Sequence, residues 1–263
     1  MKITALYTYP IKSLSGISLE AAKITATGFS YDRLWMLVDE NGSCLTQRDY
    51  PKMALFQVTL AENTILVQFG TETLRIDKEL SYIVPLECTI WGSKTMAHQE
   101  LSEHSEWFSD LLNANVRLVR KLEQPKRSVK NHPDAAVNFP DSNPYLILGE
   151  SSLSFLNSKL ETPVSMNRFR PNIIFDGGVP HIEDKWKSIR IGAAIFEVTK
   201  PCARCNLITI DQSTAAIGTE PLRTLAQYRR SSKKILFGQY LKSVEMEGKI
   251  VNVGDELHCR SIR

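Results

Sequence analysis

The sequence has no apolar run approaching the roughly 20 residues that span a bilayer, and no basic stretch leading into an apolar one at its start. Its first residues alternate instead, with Ile3, Ala5 and Tyr7 opposite Thr4, Leu6 and Thr8, as in a strand. These absences predict a soluble, cytoplasmic protein that does not enter a membrane. An excess of one charge is also missing: 263 residues carry a net charge of only +3. Nucleic-acid binders usually present a dense basic face, so nucleic acid is not an expected partner. A local basic pocket for a small anion remains compatible with that balance. Cysteine is scarce, and the five present (Cys44, Cys88, Cys202, Cys205, Cys259) are odd in number and mostly scattered. A secreted disulfide scaffold fits this poorly. Internal repeats and low-complexity segments are absent as well.

What remains is an ordinary globular composition, 43% hydrophobic and 23% charged. The length suits two cores of about 100–150 residues each. The first third is rich in short β-like runs, at 2–9, 18–27, 32–39, 54–60, 64–69 and 72–76. Asn41-Gly42, between the run ending at Glu40 and Cys44–Gln47, reads as a hairpin turn. A helix is predicted over 102–114, with Ser102 as its cap and Trp107, Phe108, Leu111 and Leu112 on one face. The basic stretch Lys121–Pro133 reads as a solvated crossover loop and the seam between domains 1–120 and 121–263.

Beyond it, a strand is expected at 145–148 and a helix at 151–160. Further strands are expected at 171–176, 188–191, 194–200 and 206–210. Thr219-Glu220-Pro221 should start another helix, with Thr219 as N-cap. Closing barrel strands lie around Tyr240, 250–253 and 256–259. The fold class expected is mainly β with a few helices (α+β), as two β-barrel-like domains.

Cys202-Ala-Arg-Cys205 is the densest chemical motif. Its spacing leaves several readings open. A structural zinc site needs four ligands, and the chain offers only His258-Cys259 besides. A dithiol redox pair normally opens a helix after a strand, whereas Asn206–Ile210 looks like a strand. Two structural core cysteines are a third possibility. The fourth is a single thiolate ligand to a soft metal, with Arg204 favouring the ionised sulfur.

The segment Lys200–Asp211 (KPCARCNLITID) resembles the signature of MOSC-domain proteins. Glu220–Leu225 and Leu236–Tyr240 resemble the family's segments downstream of that signature, and Asp141–Pro144 and Phe169–Ile173 those upstream of it. Tyr9-Pro-Ile-Lys-Ser13, Tyr31–Trp35 and Thr46-Gln-Arg48 are similar to the β-barrel domain that accompanies many MOSC domains. The resemblance runs in order through nearly the whole chain. It implies a molybdenum-molybdopterin cofactor, a protein cysteine on the metal, and reduction of small N-hydroxylated substrates. At the level of the domain it also carries pyridoxal phosphate binding, to which no residue is assigned. MOSC domains also occur in cofactor sulfurases, so a molybdenum-cofactor or sulfur carrier with a persulfide on Cys205 is the alternative.

Carried over residue by residue, the resemblance makes Cys205 the catalytic metal ligand and leaves Cys202 secondary. It sets Lys12, Ser13, Arg33, Ser142, Asn143, Arg170, Asn172, Arg204 and Tyr240 around the cofactor. Asn143 departs from a position usually held by a small hydroxyl residue. Arg48 ranks lower, and Asp211 reads first as a turn cap and second as a support for Arg204. The site should lie between the domains. No His/carboxylate pair stands out as a proton donor. The chain shows no ferredoxin-type cysteine pattern, so electrons are expected from a separate flavoprotein or ferredoxin-type donor. The basic 121–130 stretch, Lys126 and Arg127 especially, is its candidate docking surface.

Overall fold

A computed structural model describes residues 1–79, 84–124, 126–244 and 248–263. Pro125, inside the basic stretch, lies outside the described residues. The architecture is mainly β, with three α-helices among the described residues, Ser102–Leu112, Glu150–Asn157 and Leu222–Tyr228. None of them is long and apolar enough to cross a membrane.

A nine-stranded sheet organises the molecule. Its central strands are Tyr145–Gly149, Lys234–Ser243 and Ala194–Arg204, and the long antiparallel pair of the last two carries both motif cysteines toward one end. Tyr145–Gly149 and Ile173–Asp176 run parallel, joined across Glu150–Asn157. The first strand, Lys2–Thr8, pairs with Ile173–Asp176, and Ile250–Asn252 pairs with Ala21–Thr25. Chain start and chain end therefore share one core, in which Ile3, Leu6 and Phe29 meet Tyr145, Ile147 and Phe196. A register shift between Ile3 and Ala5 breaks the simple alternation of the first strand. Ile3 and then Leu6 and Thr8 face inward as a result.

The second core gathers Trp35, Phe56, Phe108 and Leu118 between a four-stranded sheet, a three-stranded sheet and helix Ser102–Leu112. The aromatic face predicted for that helix is seen there, with the Phe56 ring 5.6 Å from Phe108 and 5.8 Å from Trp107. Ser102 is the first helical residue and not the cap, a place held by Leu101. The Asn41-Gly42 turn is present, closed by the Val38–Cys44 bridge, with Gly42 at φ 76°.

Several expectations need correction. Residues 206–210 are not a strand. Asn206–Thr209 forms a 3-10 turn that buries Ile208 against Phe169 and Phe237, and packing outweighs the β-branched composition. The 121–133 stretch is not a solvated loop. Lys121 is a buried strand residue, and Arg127–Val129 pairs with His132–Val137. Pro221, not Thr219, holds the N-cap position of the third helix, and the Glu220 carboxylate before it accepts from the Thr224 N–H at 3.0 Å. Strands Pro85–Ile90 and Ser93–Gln99 are additions to the expected set. The Trp91-Gly92 turn joining them has φ of 49° and 81°, the positive pair that tight hairpins require.

Candidate functional site

Three connecting segments interlock where the two cores meet. Lys12 N–H donates to Trp35 O at 2.8 Å and Arg33 N–H to Tyr9 O at 2.8 Å, while Phe139 N–H reaches Arg33 O at 2.9 Å. A cleft opens beside them, with about 800 Å³ of unfilled space, part of it open to solvent. Lys12, Ser13, Arg33, Asn143, Arg170, Asn172, Arg204, Cys205 and Tyr240 all line it. Ser142 does not; it faces an adjoining cavity that shares Asp141, Cys205 and Tyr240. Sequence distance is large, but strand pairing makes these residues neighbours.

Backbone strain marks the same place. Ser13, Arg33 and Arg170 have φ of 70°, 45° and 54°, in the left-handed region that L residues rarely adopt. Arg170 also precedes Pro171, which further disfavours helical geometry. Such conformations cost about 1 kcal/mol or more each and persist only where the surroundings hold them. Here they aim a hydroxyl and two guanidinium groups into one space.

The N-terminal wall is held by carboxylates. Asp32 is fully buried and takes Arg33 Nη1 on both oxygens, at 2.8 and 2.7 Å. It also accepts from Tyr9 N–H and Asn172 Nδ2, each at 3.0 Å. Burial alone would lower the Arg33 pKa, but Asp32 and Tyr9 outweigh it and raise it. The Tyr9 ring is close to both Arg33 and Arg170, its centre 4.2 and 4.4 Å from their guanidinium carbons. Burial pushes its phenol up to about 12. Lys12 pairs with Asp141, which also accepts from Trp91 Nε1 at 2.9 Å. Burial alone would raise the Asp141 pKa; the Lys12 ammonium and the Trp91 bond hold it well below the usual carboxylate range.

On the C-terminal wall Arg168 pairs with Asp211, but among the described residues Arg170 and Arg204 have no carboxylate in ion-pair contact. Arg204 donates to Phe237 O at 2.8 Å and Phe169 O at 2.9 Å, both carbonyls. Gly238 permits this: a Cβ there would sit 3.3 Å from Arg204 Nη2 and 2.9 Å from Ile147 O. Among the described residues, Arg170 Nη2 and Arg204 Nη2 are buried with no hydrogen-bond partner. Burial lowers the Arg170 pKa to about 10, with Arg33 adding to the shift, so the group stays charged at neutral pH. Buried guanidinium nitrogens without acceptors are costly and suit an anionic or carbonyl-rich ligand. The donor set of the cleft thus fits a flat polar ring system bearing a phosphate.

Cys205 lies exposed on extended backbone at the entry to the 3-10 turn. Cys202 is buried, and burial raises its pKa. Among the described residues no three His, Cys, Asp or Glu side chains could hold a metal together. That removes the basis for a four-ligand zinc site, and His258 faces Glu256 on an exposed strand.

The remaining expected residues have defined places. Asn172 donates to Tyr7 O and Asp32 and accepts from Arg33 and Leu146 N–H, so its amide is fully bonded within the protein. Asn143 accepts from Thr199 Oγ1 at 2.8 Å and donates to Ser142. Asp211 caps the Ser213–Thr214 turn and pairs with Arg168 at 2.6 Å; it does not reach Arg204. Arg48 lines the cleft, its guanidinium 4.0 Å from the Trp91 ring centre. Sequence reasoning misses Asp32, Tyr9, Trp91 and Asp141 as functional residues. Tyr9, Asp32 and Asp141 lie within segments already marked by the resemblance, but no local feature shows that their side chains hold the site, and Trp91-Gly92 is readable only as a turn dipeptide.

Residues 1–115 match the MOSC N-terminal beta barrel domain and residues 134–258 the MOSC domain. Mitochondrial amidoxime reducing component 2 of Bos taurus is 33% identical over 97% of this chain and 82% of its own length. Mitochondrial amidoxime-reducing component 1 of Homo sapiens is 30% identical over the same shares of each chain. A molybdenum cofactor sulfurase of Oryza sativa subsp. japonica is 32% identical over 94% of this chain, which spans only 33% of that longer protein. The chain belongs to the two-domain MOSC family, whose members pair the MOSC N-terminal β-barrel domain with a MOSC domain.

Proposed function

We propose that this protein is a molybdenum-cofactor-dependent reductase of N-hydroxylated compounds (amidoximes, hydroxylamines and N-hydroxylated bases), with Cys205 as the protein ligand to the metal. One observation carries the reading. Lys12, Arg33, Arg170 and Arg204 converge from distant segments on one cleft with an exposed thiol, and among the described residues two of their guanidinium nitrogens have no hydrogen-bond partner. The names of the relatives point to the same cofactor and substrate class.

When bound, the molybdopterin supplies a metal centre that accepts and returns two electrons. The rest is work for the chain. Arg170 and Arg204 offer free donors to phosphate and pterin oxygens, and the paired Lys12 and Arg33 fix the geometry of the facing wall. Asp32 and Asn172 hold Arg33, and Asp141 holds Lys12, before any ligand arrives. Tyr240 is kept a neutral phenol by burial, well above its usual pKa, and its hydroxyl bonds the buried Cys202. The overall reaction takes one N-hydroxylated substrate, two electrons and two protons. The N–O bond breaks, and the amine or amidine and water leave. Electrons come from a separate reduced protein of flavoprotein or ferredoxin type, and protons from solvent.

The test is conversion of an amidoxime to its amidine by the molybdenum-loaded protein with an artificial reductant. Absence of turnover in fully loaded protein would refute the reading. The similarity to a molybdenum cofactor sulfurase and the exposure of Cys205 keep a second reading in view, a cofactor or sulfur carrier with a persulfide on Cys205. Cyanide-labile sulfur on Cys205 without amidoxime turnover would favour it.

A further inference from the structure

We infer that the hairpin Arg230–Lys234 is the docking surface for an acidic, protein-borne electron carrier; the inference rests on the reductase reading, because only a reduction calls for such a carrier.

The hairpin pairs Arg230 with Ile235 and Ser231 with Lys234, and turns at Ser232 with φ 56°. Arg230, Lys233 and Lys234 are exposed, and among the described residues none has an ion-pair partner. Lys233 and Lys234 line the same cavity as Lys200, Arg48 and Cys205. Burial lowers the Lys200 pKa, and Lys234 and Lys130 lower it further, so like charges crowd this face. Asp141, the one carboxylate among the described residues lining the cavity, is already held by Lys12 and Trp91.

The hairpin is also fixed in advance. Arg229 at its base donates to Asp184 at 2.5 Å and to Leu236 O at 2.8 Å. A preformed surface loses little freedom on binding. Uncompensated charge on a rigid, projecting element steers and orients a large partner of opposite sign. A small anion is better served by the buried donors of the cleft. Two electrons must reach the metal ligated by Cys205, and a carrier whose cofactor edge is ringed by Asp and Glu would meet this face beside that residue.

The basic 121–130 stretch is less suited to the same partner. Lys121 is buried, and Arg127 turns inward to Asn138 O at 3.3 Å and Pro140 O at 2.7 Å.

The experiment titrates molybdenum-loaded protein with an acidic flavodoxin at low and high salt, for wild type, K233E/K234E and K126E. Amidoxime turnover is measured in parallel with reduced methyl viologen. Wild-type binding should weaken with salt, and K233E/K234E should weaken it at least about tenfold. K126E should stay within about twofold, as should viologen-driven turnover of K233E/K234E. Unchanged binding in K233E/K234E, or an equal loss in K126E, overturns the docking surface. Loss of binding to phosphatidylserine-containing vesicles with flavodoxin binding intact assigns the face to lipid and also overturns it. Should K233E/K234E fail to retain molybdenum, K233Q/K234Q is read instead, with a smaller loss of binding expected and none overturning the inference. A wild type that binds flavodoxin through the hairpin but shows no viologen-driven turnover refutes the reductase reading and leaves the docking surface standing.

Discussion

The two walls of the cleft solve the same problem in opposite ways. On the N-terminal side, Arg33 and Lys12 are each neutralised by a carboxylate of the protein, Asp32 and Asp141. On the C-terminal side, Arg204 bonds only carbonyls and Arg170 stacks on the Tyr9 ring; among the described residues neither has a carboxylate in ion-pair contact, and a buried nitrogen of each has no acceptor. The difference separates positioning from recognition. A paired cation is fixed in the folded chain and contributes geometry. An unpaired one keeps its donors for a ligand, at the expense of stability. If this contrast is right, substitutions on the two walls should affect different observables.

The largest effect is expected at Asp32. Asp32→Asn leaves Arg33 buried and uncompensated, and weakens the bonds to Asn172 and Tyr9. Breaking such a pair costs about 3–5 kcal/mol, readable by urea unfolding of the protein prepared without cofactor. A loss below about 1 kcal/mol would collapse the distinction between the walls.

Arg170→Met should do the reverse. Among the described residues no hydrogen bond from its guanidinium to protein is lost, and a desolvated charge beside Arg33 is removed. Unfolding free energy without cofactor should change by no more than about 1 kcal/mol. Pterin retention through gel filtration should fall at least about tenfold, since a charge-assisted bond is worth about 1.5–3 kcal/mol. Equal losses of stability and retention would assign Arg170 to structure.

A third effect extends the contrast to pH. His181 lies among Phe155, Tyr228 and Phe237, and burial, aided by Arg229, lowers its pKa to about 4. The unfolded chain, near 6.5, therefore binds more protons between those values. Its contribution to stability is complete above pH 6.5 and declines as pH falls toward 4. His181→Gln should flatten that part of the stability–pH curve, whereas an unchanged slope would place the acid sensitivity elsewhere.

The smallest effect is expected at Lys126, which is exposed in the basic stretch between the two domains. Lys126→Glu should leave stability within about 0.5 kcal/mol. A larger change would mean that this segment is structurally engaged along its whole length, as Arg127 is.

The difference between the walls also explains how much is legible in the sequence. The mainly β class can be read from short alternating runs, and helix Ser102–Leu112 from the spacing of Trp107, Phe108 and Leu111. Most expected site residues line the cleft because the motifs that name them are the strand ends and turns that meet there. Their pairing cannot be read. Nothing local in Tyr31–Trp35 says that Asp32 turns inward, and Lys12 finds Asp141 across 129 residues. Lys121 and Arg127 look solvated because composition cannot reveal that the Lys121 ammonium turns back to Leu122 O or that Arg127 reaches Pro140 O. Asn206–Ile210 looks like a strand because its β-branched residues serve a buried turn equally well. Tertiary pairing, and not local preference, decides each of these.

Cys205 is where the walls meet the proposed chemistry. The most direct test is molybdenum and pterin content per chain of wild type against Cys205→Ser, both produced in a host that makes the cofactor. Thiolate ligation predicts about one molybdenum per wild-type chain and a loss of at least about tenfold in the variant. Equal molybdenum occupancy in the two proteins would contradict it.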